Sequence, residues 1–183
     1  MGDAARPTRI TRLSEELELK KAVDVVQEVF FRTSTYGRSL KGSGRRDFFL
    51  AWAGWYMENF PEQTLLIRNP EEKIIGYLVG CFDSASAEEL FKCIFYYKTF
   101  ACWYTEYPCH FHVNCHPDYQ GVGYGEALVD RFGCDARAAG ARGMHIVTGL
   151  DARNRGFYER LKFRPRDQKL IDGRPLVLLG KRL

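Results

Sequence analysis

With 183 residues, 45% of them hydrophobic and 27% charged, the chain has the size and balance of one soluble globular domain with a real core. Its net charge of +4 is too small and too dispersed to argue for nucleic acid, though it would suit an anionic cofactor. No apolar run is long enough to span a membrane and no signal-peptide core opens the chain; six cysteines with neither a C-x-x-C pair nor a zinc-finger spacing point to free thiols in a cytoplasmic protein.

Residues 1 to 6 read as a loose start, and Thr8 to Leu13 (TRITRL) alternates as a short first strand. Leu19, Ala22, Val23, Val26 and Phe30 recur at helical spacing, which predicts an amphipathic helix. Ser34 to Gly44 (STYGRSLKGSG) is rich in glycine and serine and reads as a mobile loop. A second helix is predicted from about Arg46 to Asn59, with Phe48, Trp52 and Trp55 on one side and Pro61 just beyond its end. Thr64 to Arg68 and Lys73 to Phe82 are predicted strands, joined by a turn at Asn69-Pro70-Glu71-Glu72. The second is apolar on both faces, as in a strand covered on both sides; Gly76 and Gly80 within it predict a close backbone approach or a bulge. Ser86 and Glu89 have capping-box spacing and open a helix predicted over 87 to 104. Its aromatic residues suit packing against the core; they would also serve as the wall of a substrate pocket or as a homodimer interface.

His110 to Phe132 (HFHVNCHPDYQGVGYGEALVDRF) holds the densest chemistry. Phe111, Val113 and Cys115 alternate with His110, His112, Asn114 and His116 as in a strand, and Pro117 ends it because proline has no N–H for the ladder. Gln120-Gly121-Val122-Gly123-Tyr124-Gly125 follows, then a helical pattern with Leu128, Phe132, Ala136 and Ala139 on one face. Strand, glycine-rich turn and helix together make an anion site. The first amides of a helix have no internal partner and sit at the positive end of its dipole, and glycines let a pyrophosphate approach the backbone. A Walker loop would need Gly-Lys-Ser/Thr, and Glu126 follows the last glycine here. The dinucleotide fingerprint G-x-G-x-x-G fails too, since these glycines alternate. A turn that merely lets strand and helix pack is the alternative. Met144 to Val147 is a fifth predicted strand, a short helix lies within Leu150 to Phe163, and Leu176 to Arg182 (LVLLGKR) is a last strand.

The pattern Gln-x-x-Gly-x-Gly at Gln120 to Gly125, after a strand ending in His-Pro-x-Tyr, resembles the acyl-CoA-binding loop of the GNAT family of N-acetyltransferases. Leu150 to Phe163 (LDARNRGFYERLKF) resembles that family's second cofactor motif, with two departures. Asn154 stands four residues before Tyr158 where the family usually has seven, a spacing that would select Asp151, and Lys162 replaces a common glycine. Tyr107-Pro108-x-His110-x-His112, with Gly173-x-Pro-Leu-Val-Leu-Leu-Gly-Lys-x-Leu at the end, resembles stand-alone bacterial GNAT proteins. These are similar to the acetyltransferase-like C-terminal domain of O-GlcNAcase.

The resemblance implies one mixed α/β GNAT domain over 1–183, with a mostly antiparallel sheet, splayed fourth and fifth strands, flanking helices, and residues 83–108 as an insertion. It implies direct transfer of an acetyl group from acetyl-CoA to a primary amine. Backbone N–H groups of Val122, Gly123, Tyr124 and Gly125, within the loop that Gln120 and Gly121 open, would hold the pyrophosphate. The strand edge at Asn114, Cys115 and His116 would hold the pantetheine amides, with Asn154 and Tyr158 also at the cofactor. Tyr158 would protonate the departing thiolate, and His112 or His110 would take the amine's proton. His110, His112 and His116 share one side of a regular strand, and a one-residue slip reverses that side. They do not make a metal site, because no carboxylate or cysteine completes it at usual spacing. Arg153 and Arg155 could meet coenzyme phosphates or water. The competing reading is a module that binds acyl-CoA, or a protein partner, without turnover. The amine itself, whether small molecule, amino sugar or lysine side chain, is left open.

Overall fold

Apolar runs become strands and amphipathic runs become helices largely where the periodicity places them. The structure, a computed structural model, describes residues 9–34 and 36–183; the loose start at residues 1 to 6, Thr8 of the first predicted strand and Thr35 of the predicted loop lie outside these. In chain order they form β1 (Arg9–Arg12), α1 (Leu19–Thr33), α2 (Gly42–Phe49), a π-helical turn (Leu50–Gly54), α3 (Trp55–Asn59), β2 (Leu65–Arg68), β3 (Ile74–Cys81) and α4 (Leu90–Cys93). There follow β4 (Cys109–Cys115), α5 (Tyr124–Ala138), β5 (Gly143–Gly149), α6 (Arg155–Arg160), β6 (Arg164–Ile171) and β7 (Arg174–Arg182). The sheet runs β1-β2-β3-β4-β5-β7-β6. β4 and β5 are parallel, whereas β1–β2, β2–β3, β5–β7 and β6–β7 are antiparallel. The parallel ladder has two rungs, Cys109↔Met144 and His110↔His145. No helix among the described residues is long and apolar enough to cross a membrane.

The residues group into two compact units. The first comprises the described residues of Met1–Val79 together with His112–Phe132. Here α1 buries Ala22, Val26, Val29, Phe30 and Phe31, while Leu19, placed on that stripe by its spacing, is exposed. The second predicted helix starts at Gly42 rather than Arg46, and a 3-10 turn at Gly37–Ser39 occupies part of the predicted mobile loop. Its buried face is Phe49, Ala53, Tyr56 and Met57; Phe48, Trp52 and Trp55 are only half-buried. Two apolar stripes compete in this sequence, and the small Ala53 at the π-helical turn lets the less bulky one pack closest. Between β2 and β3 the register slips after Ile67↔Gly76. A Cβ on Gly76 would lie 3.0 Å from both Asn114 O and Cys115 Sγ, so glycine is what allows the expected close approach.

The second unit comprises Gly80–Phe111 and Gly133–Leu183. The single helix predicted over 87 to 104 is instead a 3-10 turn (Ser84–Ala87), the short α4, and a second 3-10 turn (Lys98–Trp103). The capping box does not form; Asp83 caps instead, accepting the Ala85 N–H at 3.0 Å. Neighbouring Tyr96 and Tyr97 are both buried, along with Leu90, Ile94, Phe100 and Tyr104, and no single helix face can bury adjacent residues like that. α5 ends at a left-handed Gly140, which leaves Ala139 exposed instead of on the apolar face. β6 has no counterpart among the predicted strands. It is an almost wholly exposed edge of arginine, lysine and proline, joined to β7 through Asp172-Gly173, both at positive φ.

The Tyr107 ring is buried in a slot between two glycines: a Cβ on Gly143 or on Gly180 would come within 2.8 Å of it. The carbonyl of the same residue accepts His145 Nδ1–H at 2.6 Å. His145 stacks on Tyr104 at 4.8 Å and 12°, and its Nε2 is buried with no hydrogen-bond partner among the described residues. Burial drives its pKa from 6.5 down to about 4, against the weaker opposing pull of the Tyr107 carbonyl. The folded value lies below the unfolded one, so the unfolded chain gains the proton first as pH falls. Stability should therefore be lost between pH ~6.5 and ~4, by roughly 3 kcal/mol. Urea denaturation at pH 7 and pH 4.5 measures this, and His145→Asn should flatten the dependence.

Candidate functional site

Three constraints set the geometry of the loop in the first unit. Proline at 117 closes β4, and Pro117–Tyr119 folds into a 3-10 turn, with the Tyr119 N–H reaching His116 O at 2.9 Å. Tyr119 braces that turn: its ring lies 6.0 Å from His116 and 6.4 Å from Tyr124, and its hydroxyl accepts Asn69 Nδ2 at 3.4 Å. Gly121 and Gly123 then take φ values of 80° and 92°, a left-handed backbone open to glycine at little cost. Space around them is open, because a Cβ on either would meet nothing within 4 Å.

The first helical bond of α5 runs from Ala127 N–H to Gly123 O at 3.0 Å. The amides of Tyr124, Gly125 and Glu126 therefore precede the ladder and have no acceptor within the helix. Exposed glycines, unladdered amides and the positive end of a fifteen-residue helix suit the two charges of a pyrophosphate. Val122 projects outward and is exposed.

The strand edge is more selective than the sequence implied. Asn114 O lies against Gly76, and the His116 N–H donates to Ile75 O at 2.8 Å, so both face β3. Alternation turns the backbone groups of Val113 and Cys115 to the other edge. There Gln120 Nε2 donates to Cys115 O at 3.0 Å, tying the loop's first residue to the strand and leaving the Cys115 N–H as a donor at that edge. The Asn114 side chain donates instead to the buried Tyr77 hydroxyl at 2.9 Å. No signal singled out Tyr77 except the general need of a buried phenol for a partner.

The three histidines have different surroundings. His112, in the first unit, sits edge-on to Trp52 at 5.3 Å and Tyr56 at 5.7 Å. His116 accepts the Asp118 N–H through Nδ1 at 3.4 Å. His110, in the second unit, is 3% exposed, with Nδ1 2.8 Å from Ser84 Oγ, which itself donates to Pro108 O at 2.6 Å. The sheet also carries a fourth histidine, His145, which the motif search passed over because it sits inside an apolar strand. Burial pushes the Cys115 thiol up to about 11 and Cys109 up to about 12, so neither is a thiolate nucleophile near neutral pH.

Tyr158 lies on α6 in the second unit, buried among Phe111, Phe157 and Phe163 with ring centroids 5.1–6.2 Å away. Burial holds its hydroxyl above the ordinary phenol range, so the proton stays on at neutral pH. Asn154 is the residue before α6; its Oδ1 accepts Thr148 Oγ1 at 2.8 Å, whereas Asp151 is exposed. Lys162, in the place of a common glycine, adopts φ 68°. The left-handed conformation that glycine would provide is thus retained, at some strain, and the chain still closes with Phe163 N–H donating to Tyr158 O at 3.0 Å.

Comparison with known proteins bears on the fold. Over 96% of its length the chain superposes on 98% of the crystal structure of SsHAT, with TM-score 0.74 and 20% identity. It matches the polyamine N-acetyltransferase of Drosophila melanogaster, an enzyme that forms N-acetylagmatine, with TM-score 0.66 and 12% identity over 97% of this chain and 100% of that one. A chain of the NatC complex bound to Gag peptide and CoA gives TM-score 0.64 and 11% identity, covering 96% and 98%. At these identities the structures attest the fold. Residues 61–165 match the model of the acetyltransferase (GNAT) domain, and the chain belongs to that family.

Proposed function

We propose that the chain is an acetyl-CoA-dependent N-acetyltransferase, one domain over residues 1–183, which moves an acetyl group directly to a primary amine in the cytoplasm. The observation that carries this reading is the loop at the start of α5, with two left-handed glycines and three amides outside the helical ladder. Acetyl-CoA supplies an activated thioester when bound. The amides from Val122 to Gly125 would hold its pyrophosphate, and the Cys115 N–H would hold an amide of its pantetheine arm.

Tyr158 supports catalysis because it keeps its proton, and a neutral phenol can donate to a departing thiolate. His112 is the better-supported base of the two histidines, since His110 is buried and hydrogen-bonded to Ser84. The motifs around Tyr107 and Gly173 further support a place among stand-alone bacterial GNAT proteins similar to the O-GlcNAcase C-terminal domain. A second reading, cofactor binding without turnover, is favoured by Asn154, whose side-chain carbonyl is already engaged by Thr148.

Calorimetry should show stoichiometric acetyl-CoA binding in the micromolar range, roughly −8 kcal/mol. Gly123→Val should abolish it. The left-handed backbone disfavours a β-branched residue there, and the side chain would project into the open space the phosphate needs. Unchanged affinity would mean that the loop only joins strand to helix.

Turnover is read from release of CoA thiol over a panel of amines, amino sugars and lysine peptides. Tyr158→Phe should lower kcat by roughly 10- to 1,000-fold and leave acetyl-CoA affinity nearly intact. Full activity in that variant would remove the acid, and tight binding with no turnover in the wild type would favour the binding module.

A further inference from the structure

Three arginines of the first unit, none of them part of the loop described above, line one open hollow. Its walls are Glu28, Phe31, Arg32, Arg38, Arg45 and Pro117, and its volume is about 410 Å³, within the range of small-molecule sites. We propose that this hollow binds an anionic group, a phosphate or a carboxylate, carried by one of the two substrates of the acetyl transfer proposed above, on which this second part rests.

Charge is the first argument. Three guanidiniums face a single carboxylate, Glu28, which pairs with Arg32 at 2.9 Å one turn along α1. Two positive charges are left without a counter-charge in the lining, and bringing like charges together costs free energy that a bound anion would offset.

Fixed geometry is the second. Arg38 donates through Nη2 to the backbone carbonyl of Arg32. Arg45 donates through Nη1 to Gly37 O at 3.3 Å and lies 3.4 Å above the Phe31 ring. Both side chains are thus held by backbone or ring, with no carboxylate on either among the described residues. Each guanidinium has five donors and these contacts use one apiece, so the planar forks stay available for two-point recognition of an oxyanion.

Gly37 makes the arrangement possible. A Cβ there would come within 2.8 Å of Ser34 Oγ and 3.1 Å of Phe31 and Phe48, so only glycine lets the turn carrying Arg38 close onto those rings. The hollow also adjoins the proposed cofactor loop along the chain. Pro117, its last wall, opens the turn that leads into Gln120–Gly125.

The anion has two sources: the 3′-phosphate of the coenzyme, or an acidic group on the amine. Inorganic phosphate titrated into the full chain should raise its melting temperature, and by less in Arg38→Gln and in Arg45→Gln. Arg38 is exposed, so its variant keeps the test valid if loss of the Phe31 stack unfolds the other. Calorimetry with acetyl-CoA and with its 3′-dephospho form then separates the sources. A loss of roughly 10- to 100-fold for acetyl-CoA alone assigns the site to the coenzyme, as expected for a charged hydrogen bond. Unchanged affinity for both, with KM raised only for amines bearing a carboxylate or phosphate, assigns it to the amine. Phosphate stabilisation, affinities and KM all equal to wild type in both variants would overturn the site. A wild type that binds no acetyl-CoA, but whose phosphate response still needs Arg38 and Arg45, would overturn the transferase reading and the substrate assignment while upholding the anion site.

Discussion

The second unit depends on how Tyr107 is seated. Its ring has room only because β5 and β7 each present a glycine to it, and its carbonyl fixes the tautomer of His145 by taking the Nδ1 proton. Indirectly it also orients the rest of the buried polar set. His145 stacks on Tyr104, whose hydroxyl donates to Tyr97 O, and Tyr97 packs beside His110 at 5.0 Å. A run of aromatic residues that forms no continuous helix is ordered in this way by ring contacts and a few obligatory hydrogen bonds. On the surface side, Arg182 pairs with Glu106, whose carboxyl is held below its usual range by the neighbouring Tyr107 hydroxyl first and by that arginine after it.

The first unit answers a different constraint, the unmet amides at the start of a helix. Everything from Pro117 to Gly125 serves to present them: a proline that stops the ladder, a tyrosine that braces the turn, and a glutamine that pins the loop back to its own strand. Across that unit, Trp52 and Tyr56 position a histidine on the same strand from which the loop departs. The histidine proposed as a base and the amides proposed to hold an anion thus lie a few residues apart along one stretch of chain.

Legibility in the sequence followed the strength of local punctuation. Pro117 and the alternating glycines are residues whose backbone preferences leave few options, and the strand, turn and helix around them could be read directly. The doubly apolar β3 was equally plain. β6 was not, because an exposed edge strand has no apolar alternation, and only Asp172-Gly173 marked its hairpin. The inward face of the helical stretch from Gly42 to Asn59 was not legible, since periodicity cannot choose between two apolar stripes, and the buried one is that of Phe49, Ala53, Tyr56 and Met57. In the site, the loop glycines were legible but the commitments of side chains were not: Asn114 to Tyr77, Asn154 to Thr148, and the arginines around Phe31 depend on neighbours distant in sequence or on the packing of rings. Ser34 to Gly44 read as a mobile loop because its glycine and serine content gives no sign of the 3-10 turn at Gly37–Ser39.

The proposed presentation of an anion by main-chain amides would have a consequence for how such a site can vary. The donors proposed from Val122 to Gly125 belong to the peptide backbone, so the side chains of Val122 and Tyr124 would not enter the donor set. Outward-facing Val122 is therefore the loop position freest to vary, whereas Gly121 and Gly123 are restricted by their left-handed backbone, Gln120 by its bond to Cys115 O and Tyr124 by its contact with Tyr119. Recognition of phosphates by such amides would in this sense be anonymous: it would read charge and spacing, and carry no information about which molecule the phosphates belong to. Discrimination between ligands would then have to come from side chains elsewhere in the chain.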